Sequence, residues 1–136
     1  MQIQFFLPMK PPTVTHQQKR TTTKNGKQYH YEDERLKEAR AKLLAHLSKH
    51  VPDKPLAGGV RLITKWCYPI TGKYQDGDYK LTKPDTDNMI KLFKDVMTDL
   101  GFWKDDAQVA SELTEKFYSE TPGIYVNIEE LPKNGY

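Results

Sequence analysis

The sequence predicts an α+β fold. It is expected to be a single domain in β-α-β-α-β-β order, with a mixed sheet packed against two helices. Three observations carry this. Residues 32–50 and 87–100 repeat apolar residues at helical spacing. Residues 3–7, 60–68, 108–118 and 124–128 are short apolar or alternating runs bounded by turn residues. A chain of 136 residues supports one domain and one core.

Ile3 to Leu7 is an apolar run stopped by Pro8, and reads as the first strand. Lys10 to Gln28 follows no period; it holds Pro11-Pro12, three consecutive threonines and Asn25-Gly26. Residues 10–28 are therefore expected to be a mobile basic loop carrying Lys19, Arg20, Lys24 and Lys27. A loop of that length in a small domain is either functional or disordered. One reading closes it over a phosphate backbone; the other is plain disorder.

The first helix is expected over Glu32 to His50. Glu32, Asp33 and Glu34 sit where the helix dipole favours acid, and Lys49 and His50 where it favours base. Leu36, Ala39, Leu43 and Leu47 form its apolar stripe, widened by Leu44, and Pro52 and Pro55 prevent continuation. His46 and His50 share a face, but no third ligand lies nearby in sequence, so both read as surface histidines.

Gly58-Gly59 opens a strand to Tyr68. Val60, Leu62, Thr64, Trp66 and Tyr68 take one face, and Arg61, Ile63, Lys65 and Cys67 the other. Cys67, the single cysteine, excludes an internal disulfide and a multi-cysteine zinc site, and reads as a small core residue. Residues 70–81 form a second loop, basic and tyrosine-bearing. Its Asp76-Gly77-Asp78 reads as turn chemistry rather than a metal pair.

The central helix runs from about Asp87 to Leu100 and stops at Gly101. Met89, Ile90, Leu92, Phe93, Val96, Met97 and Leu100 share one arc; Asp87, Lys91, Lys94 and Thr98 lie opposite. Phe102-Trp103 should pin the helix end to the core. The next strand places Val109, Leu113 and Phe117 on one face. Thr121-Pro122-Gly123 is a turn, and Ile124, Val126 and Ile128 alternate through the last strand. Residues 131–136 are expected to fray.

The net charge of +3 does not by itself indicate nucleic acid. Its distribution suggests one basic face. Lys80, Lys83, Lys91 and Lys94 surround the acidic motif, while Glu112, Glu115, Glu120, Glu129 and Glu130 lie towards the C-terminus. Lys80, Lys83 and Lys94 join Lys19, Arg20, Lys24 and Lys27 as candidate DNA contacts. The first residues have no basic leader, and no apolar stretch approaches membrane-spanning length, so a cytoplasmic protein is expected.

Chemistry concentrates at the two ends of the central helix. Asp85 and Asp87 sit two apart on an extended approach, so both carboxylates can reach one cation. Taken alone, such a pair reads as helix capping before it reads as catalysis. Asp105-Asp106 beyond the helix alters that balance, if the exit strand folds back beside the helix entrance. Hard Mg²⁺ takes oxygen ligands and retains waters, which converging carboxylates and substrate phosphates would satisfy. Lys91, one turn beyond Asp87, is either an exposed ion-pair partner or a cation beside the scissile phosphate.

The pattern Asp85-x-Asp87-Asn88-x-x-Lys91, then Gly101-Phe102-Trp103-x-Asp105-Asp106-x-Gln108-Val109, resembles the RusA family of Holliday junction resolvases. The resemblance implies an endodeoxyribonuclease of DNA recombination and repair, using Mg²⁺ with Mn²⁺ as a substitute. It implies a homodimer nicking opposed strands of a four-way junction symmetrically. On it, Asp85, Asp87 and Asp106 match essential metal-binding carboxylates and Lys91 an essential lysine. Asp105 is the neighbouring acid and a further candidate ligand. The chain departs from the family by its long loop with Tyr74, Asp76, Asp78 and Tyr79, where a compact basic stretch commonly precedes the motif. Two other readings remain: a Mg²⁺-dependent nuclease for other branched or single-stranded DNA, and a DNA-binding module without catalysis.

Overall fold

The computed structural model describes residues 1–14, 19–24, 27–32 and 34–136, and for 19–24 and 27–32 the backbone alone. The elements are β1 (Gln2–Leu7), β2 (Lys19–Lys24), β3 (Lys27–Glu32), α1 (Glu34–Leu47), β4 (Val60–Pro69), α2 (Thr86–Leu100), β5 (Val109–Ser119) and β6 (Gly123–Glu130). Short 3-10 turns at Ser48–His50 and Asp106–Gln108 follow the two helices. The main sheet has the order β1-β6-β4-β5. β6 is antiparallel to β1 and β4, while β4 and β5 are parallel. This is the expected mixed sheet with two helices, in the expected order of elements.

The addition is the β2–β3 hairpin, where the sequence reading placed a structureless loop. Its antiparallel register runs from Lys19↔Glu32 to Lys24↔Lys27. The run lacks apolar alternation, so no burial signal marks it. Its strand character comes from β-branched threonines, tyrosines and an intervening Asn-Gly, the dipeptide favoured in two-residue hairpins. Asn25, Gly26 and the first-turn acid Asp33 lie outside the described residues, as do the side chains of Lys19, Arg20, Lys24 and Lys27.

The core lies between one face of the sheet and the two helices. Leu36, Ala39, Leu43 and Leu47 are the buried stripe of α1, and Leu44 stays exposed. Met89, Ile90, Leu92, Phe93, Val96 and Met97 are buried from α2. They meet Val60, Leu62, Trp66 and Tyr68 of β4, and Ile124, Val126 and Ile128 of β6. Trp66 packs edge-on against Phe93, with ring centroids 5.3 Å apart. Cys67 falls on the outer face and is half-buried, not a core residue. His50 is not a free surface group either: its ring stacks on Phe5 at 4.2 Å.

α2 ends as its sequence requires. Gly101 takes φ 92°, a left-handed conformation that costs glycine little. Its N–H bonds the Thr98 carbonyl, and the Phe102 N–H bonds the Met97 carbonyl at 3.0 Å, closing a Schellman motif. Phe102 and Trp103 are buried, as expected of the aromatic turn.

β5 departs from the sequence reading. Val109, Leu113 and Phe117 do not share a face. The register with β4 shifts between Val60 and Arg61, so Val109 pairs with Val60, whereas Leu113 pairs with Ile63. Val109 packs on the core, while Leu113 is 47% exposed on the outer face. The helix-facing positions of β5 are polar: Glu112, Thr114 and Lys116, in register with Leu62, Thr64 and Trp66.

Candidate active site

Asp85 precedes α2 in extended conformation, at the position where a side chain would cap the helix, yet it makes no cap hydrogen bond. Asp87 lies in the first turn and is exposed. Neither carboxylate accepts a hydrogen bond among the described residues. The capping explanation of this pair is therefore not realised. Lys91, also exposed, lies one turn along the same stripe. Beside Asp87, a cavity of about 340 Å³ is lined by Thr86, Ile90, Glu112, Leu113 and Thr114. The buried Thr114 Oγ1 has no hydrogen-bond partner among the described residues.

The second acidic pair sits at the other end. Asp105 caps the 3-10 turn: its Oδ1 accepts the Ala107 N–H at 2.8 Å, and the Gln108 side chain reciprocates to the Asp105 N–H. Asp106 accepts a hydrogen bond from the Thr98 hydroxyl. The Thr98 oxygen in turn accepts from Trp103 Nε1 at 2.7 Å. A cavity of about 360 Å³ there is lined by Arg40, Asp95, Asp99, Lys104 and the acidic pair.

The two carboxylate groups do not meet within one chain. Because β4 and β5 are parallel, α2 is the return crossover between them. Asp85 and Asp87 follow the finishing end of β4. Asp106 precedes Val109, which pairs with Val60 at the starting end. Asp87 and Thr98, the residue holding Asp106, are separated by roughly 16 Å of helix rise. They nevertheless lie on one stripe, since their separation is three turns to within about 20°. Among the described residues, no group of three Asp, Glu, His or Cys side chains is placed to hold one ion. Asp85 and Asp87 fit a hard cation as two oxygen donors, with waters and substrate phosphate oxygens able to complete its shell.

The candidate DNA lysines differ in availability. Lys83 is exposed. Lys94 is committed to Glu112 at 3.0 Å. The Lys80 ammonium lies over the rings of Tyr68 and Tyr118, at 5.4 and 5.2 Å, and donates to Thr82 Oγ1 at 2.6 Å. Residues 70–81 form a strap along the outer edge of β5. Gly77 N–H bonds the Tyr118 carbonyl, Tyr118 N–H the Asp78 carbonyl, and Lys80 N–H the Lys116 carbonyl, at 2.8–3.0 Å. Asp76 and Asp78 accept the N–H groups of Glu120 and Gln75, so they serve turns, as their glycine neighbour implied.

The sequence reading missed Lys116, whose ammonium donates to the carbonyls of Thr82 and Pro84 at 2.5 and 2.6 Å. Burial, then Lys80, lowers its basicity, and Asp85 opposes that change. Thr98 and Glu112 were also unassigned. For Lys116 and Glu112 the available signal was a polar residue on an otherwise buried face, visible only once β5 is in register.

The sequence matches known proteins of one family. A family model described as endodeoxyribonuclease RusA matches residues 8–129. The crossover junction endodeoxyribonuclease rusA of Lactococcus phage r1t is 29% identical over 133 residues, covering 96% of this chain and 100% of that protein. The uncharacterized protein YqaN of Bacillus subtilis (strain 168) is 30% identical over 123 residues, covering 82% of this chain and 86% of the relative. This chain belongs to the RusA endodeoxyribonuclease family.

Proposed function

We propose that the chain is a Mg²⁺-dependent endodeoxyribonuclease that resolves four-way DNA junctions by paired, symmetric nicks, acting as a homodimer. The observation that carries this reading is the pair Asp85 and Asp87. Two exposed carboxylates stand without a hydrogen-bond partner among the described residues at the start of a packed helix, where capping was the competing use. The phage relative named a crossover junction endodeoxyribonuclease supports junctions as substrate. Recombination and repair intermediates in the cytoplasm are where such a substrate arises.

The homodimer reading also offers Asp106 as a further ligand. A two-fold axis perpendicular to α2 would set its two copies antiparallel. Two α2 stripes facing each other across it would bring Asp85 and Asp87 of one chain to Asp106 of the partner subunit. Each of the two sites is then built from both chains. Asp85, Asp87 and Asp106 would hold the ion, which when bound supplies an activated water and offsets phosphate charge. Asp106 is held on its oxygen by Thr98, and Lys91 presents a cation towards the scissile phosphate. Asp105 supports the turn that carries Asp106. Basic residues of the hairpin and Lys83 are assigned to the DNA backbone.

The test is nicking of a synthetic four-way junction in Mg²⁺, beside a linear duplex with the same arm sequences. Paired symmetric nicks confined to the junction are expected. Equal cutting of both substrates would replace junction resolution by general nuclease activity, and no cutting would remove the catalytic reading.

A further inference from the structure

The segment that presents the two free carboxylates has little backbone support of its own. Residues 81–85 belong to neither strand nor helix. Pro84 is buried and anchors the segment by packing. The Asp85 carbonyl accepts the Met89 N–H at 3.1 Å, which begins α2. Among the described residues, no ladder bond serves the carbonyls of Thr82 and Pro84 in this segment. Lys116 donates to both from β5. Its position is unusual for a lysine, since it stands in register with the buried Trp66 on the helix-facing side of the sheet. Its own carbonyl accepts the Lys80 N–H at 3.0 Å, so one residue ties β5 to both the strap and the approach to α2.

We propose that Lys116 is a positioning residue of the metal site: its ammonium clamps the Thr82 and Pro84 carbonyls and so fixes where Asp85 and Asp87 present their oxygens. This rests on the metal-site reading above. A lysine suits the task because one ammonium donates several hydrogen bonds from the end of a long stem. An apolar residue there would fill the space but release both carbonyls from β5 to solvent, and the loop would relax away from the strand. The carboxylates would still be present, at the wrong separation for one small ion with strict geometry. Groups that orient metal ligands without touching the metal typically change affinity by about 10–100-fold when removed.

The experiment measures Mn²⁺ binding to the dimer by electron paramagnetic resonance, with and without junction DNA. Wild type, Lys116→Met and Asp85→Asn are compared. Lys116→Met is expected to weaken Mn²⁺ binding by about tenfold or more. It should raise the Mg²⁺ needed for half-maximal nicking in parallel, and leave metal-free junction binding unchanged. Should the Met variant not fold, as judged by its thermal melt, Lys116→Leu is measured instead and read in the same way, since it too has no donor. Wild-type Mn²⁺ affinity in a folded variant, with affinity lost in Asp85→Asn, overturns the proposal and keeps the site. A lower melting temperature with unchanged affinity has the same meaning, because a merely structural lysine would give that result. Absence of Mn²⁺ binding in wild type itself would overturn the underlying metal-site reading.

Discussion

Mixing two inactive variants tests whether the catalytic carboxylates come from different chains. Asp87→Asn and Asp106→Asn each remove one carboxylate at opposite ends of α2. The separation along the helix is roughly 16 Å. Two ligands of one Mg²⁺, each at about 2.0–2.1 Å, lie no more than about 4 Å apart. The helix cannot bend to close that difference, because its apolar arc is buried from Met89 to Met97. Each variant alone has no complete site, whether sites form within a chain or between chains. A mixed dimer separates the two cases. If sites form between chains, one of its two sites unites the unaltered Asp87 of one subunit with the unaltered Asp106 of the other. Co-refolding at equal amounts makes about half of the dimers mixed, each with one working site, so nicking should return to about a quarter of the wild-type rate. The cuts should be single rather than paired. The assay is denaturing electrophoresis of an end-labelled junction, with subunit exchange checked by two differently tagged chains. If exchange is complete and the mixture stays as inactive as its parents, the shared-site argument is wrong.

Asp87→Asn in the homodimer should reduce nicking by more than about 100-fold, beyond the usual effect of a residue that only supports a ligand, while junction binding measured by gel shift is kept or strengthened. Alanine at Lys19, Arg20, Lys24 and Lys27 together removes eight charges from a dimer, so it should weaken binding and flatten the slope of log affinity against log salt by up to about 7, and an unchanged slope would remove the hairpin from the DNA. Thr98→Val strips the acceptor from the buried Trp103 N–H and the donor from Asp106, so urea unfolding should show a loss of about 1–3 kcal/mol together with slower nicking. Burial, then Lys49, lowers the His50 pKa from its ordinary 6.5. The unfolded chain then binds a proton where the folded chain does not, so stability should fall as pH drops below about 6.5. His50→Gln should flatten that dependence in urea melts taken between about pH 5 and 8.

The central helix was legible because three signals agreed: its apolar arc, its acidic start and Gly101 at its stop. β4 and β6 were legible for a similar reason, since one of their faces is buried and alternates cleanly. The β2–β3 hairpin was hidden because its ladder needs no apolar face, and polar threonines alternate with nothing. The faces of β5 were hidden because a single register shift moves Leu113 away from the core, and pairing geometry is not written in local sequence. The candidate site was legible as residue types but not as an arrangement. Asp85, Asp87 and Lys91 were singled out from spacing around α2, and Asp106 from the resemblance of its motif. That the two acidic pairs stay apart in one chain, where the sequence suggested they could converge, follows from the parallel pairing of β4 with β5, a contact between residues far apart in sequence. Lys116 was invisible for the same reason, because its partners Thr82 and Pro84 lie more than thirty positions earlier.

The polar stripe of α2 acts as a ruler. Its length is set by backbone geometry, at about 1.5 Å for every residue, and not by the reach of any side chain. In an antiparallel pair the same rod would fix the separation between the two cutting centres at roughly 16 Å, close to five phosphate steps along one DNA strand. Adding seven residues, close to two turns, would lengthen the rod by about 10.5 Å and rotate one end by only about 20° against the other, whereas adding one residue would rotate it by about 100°. The spacing of the two nicks would therefore change in steps of about two turns, and the chain could alter it without touching a single catalytic group.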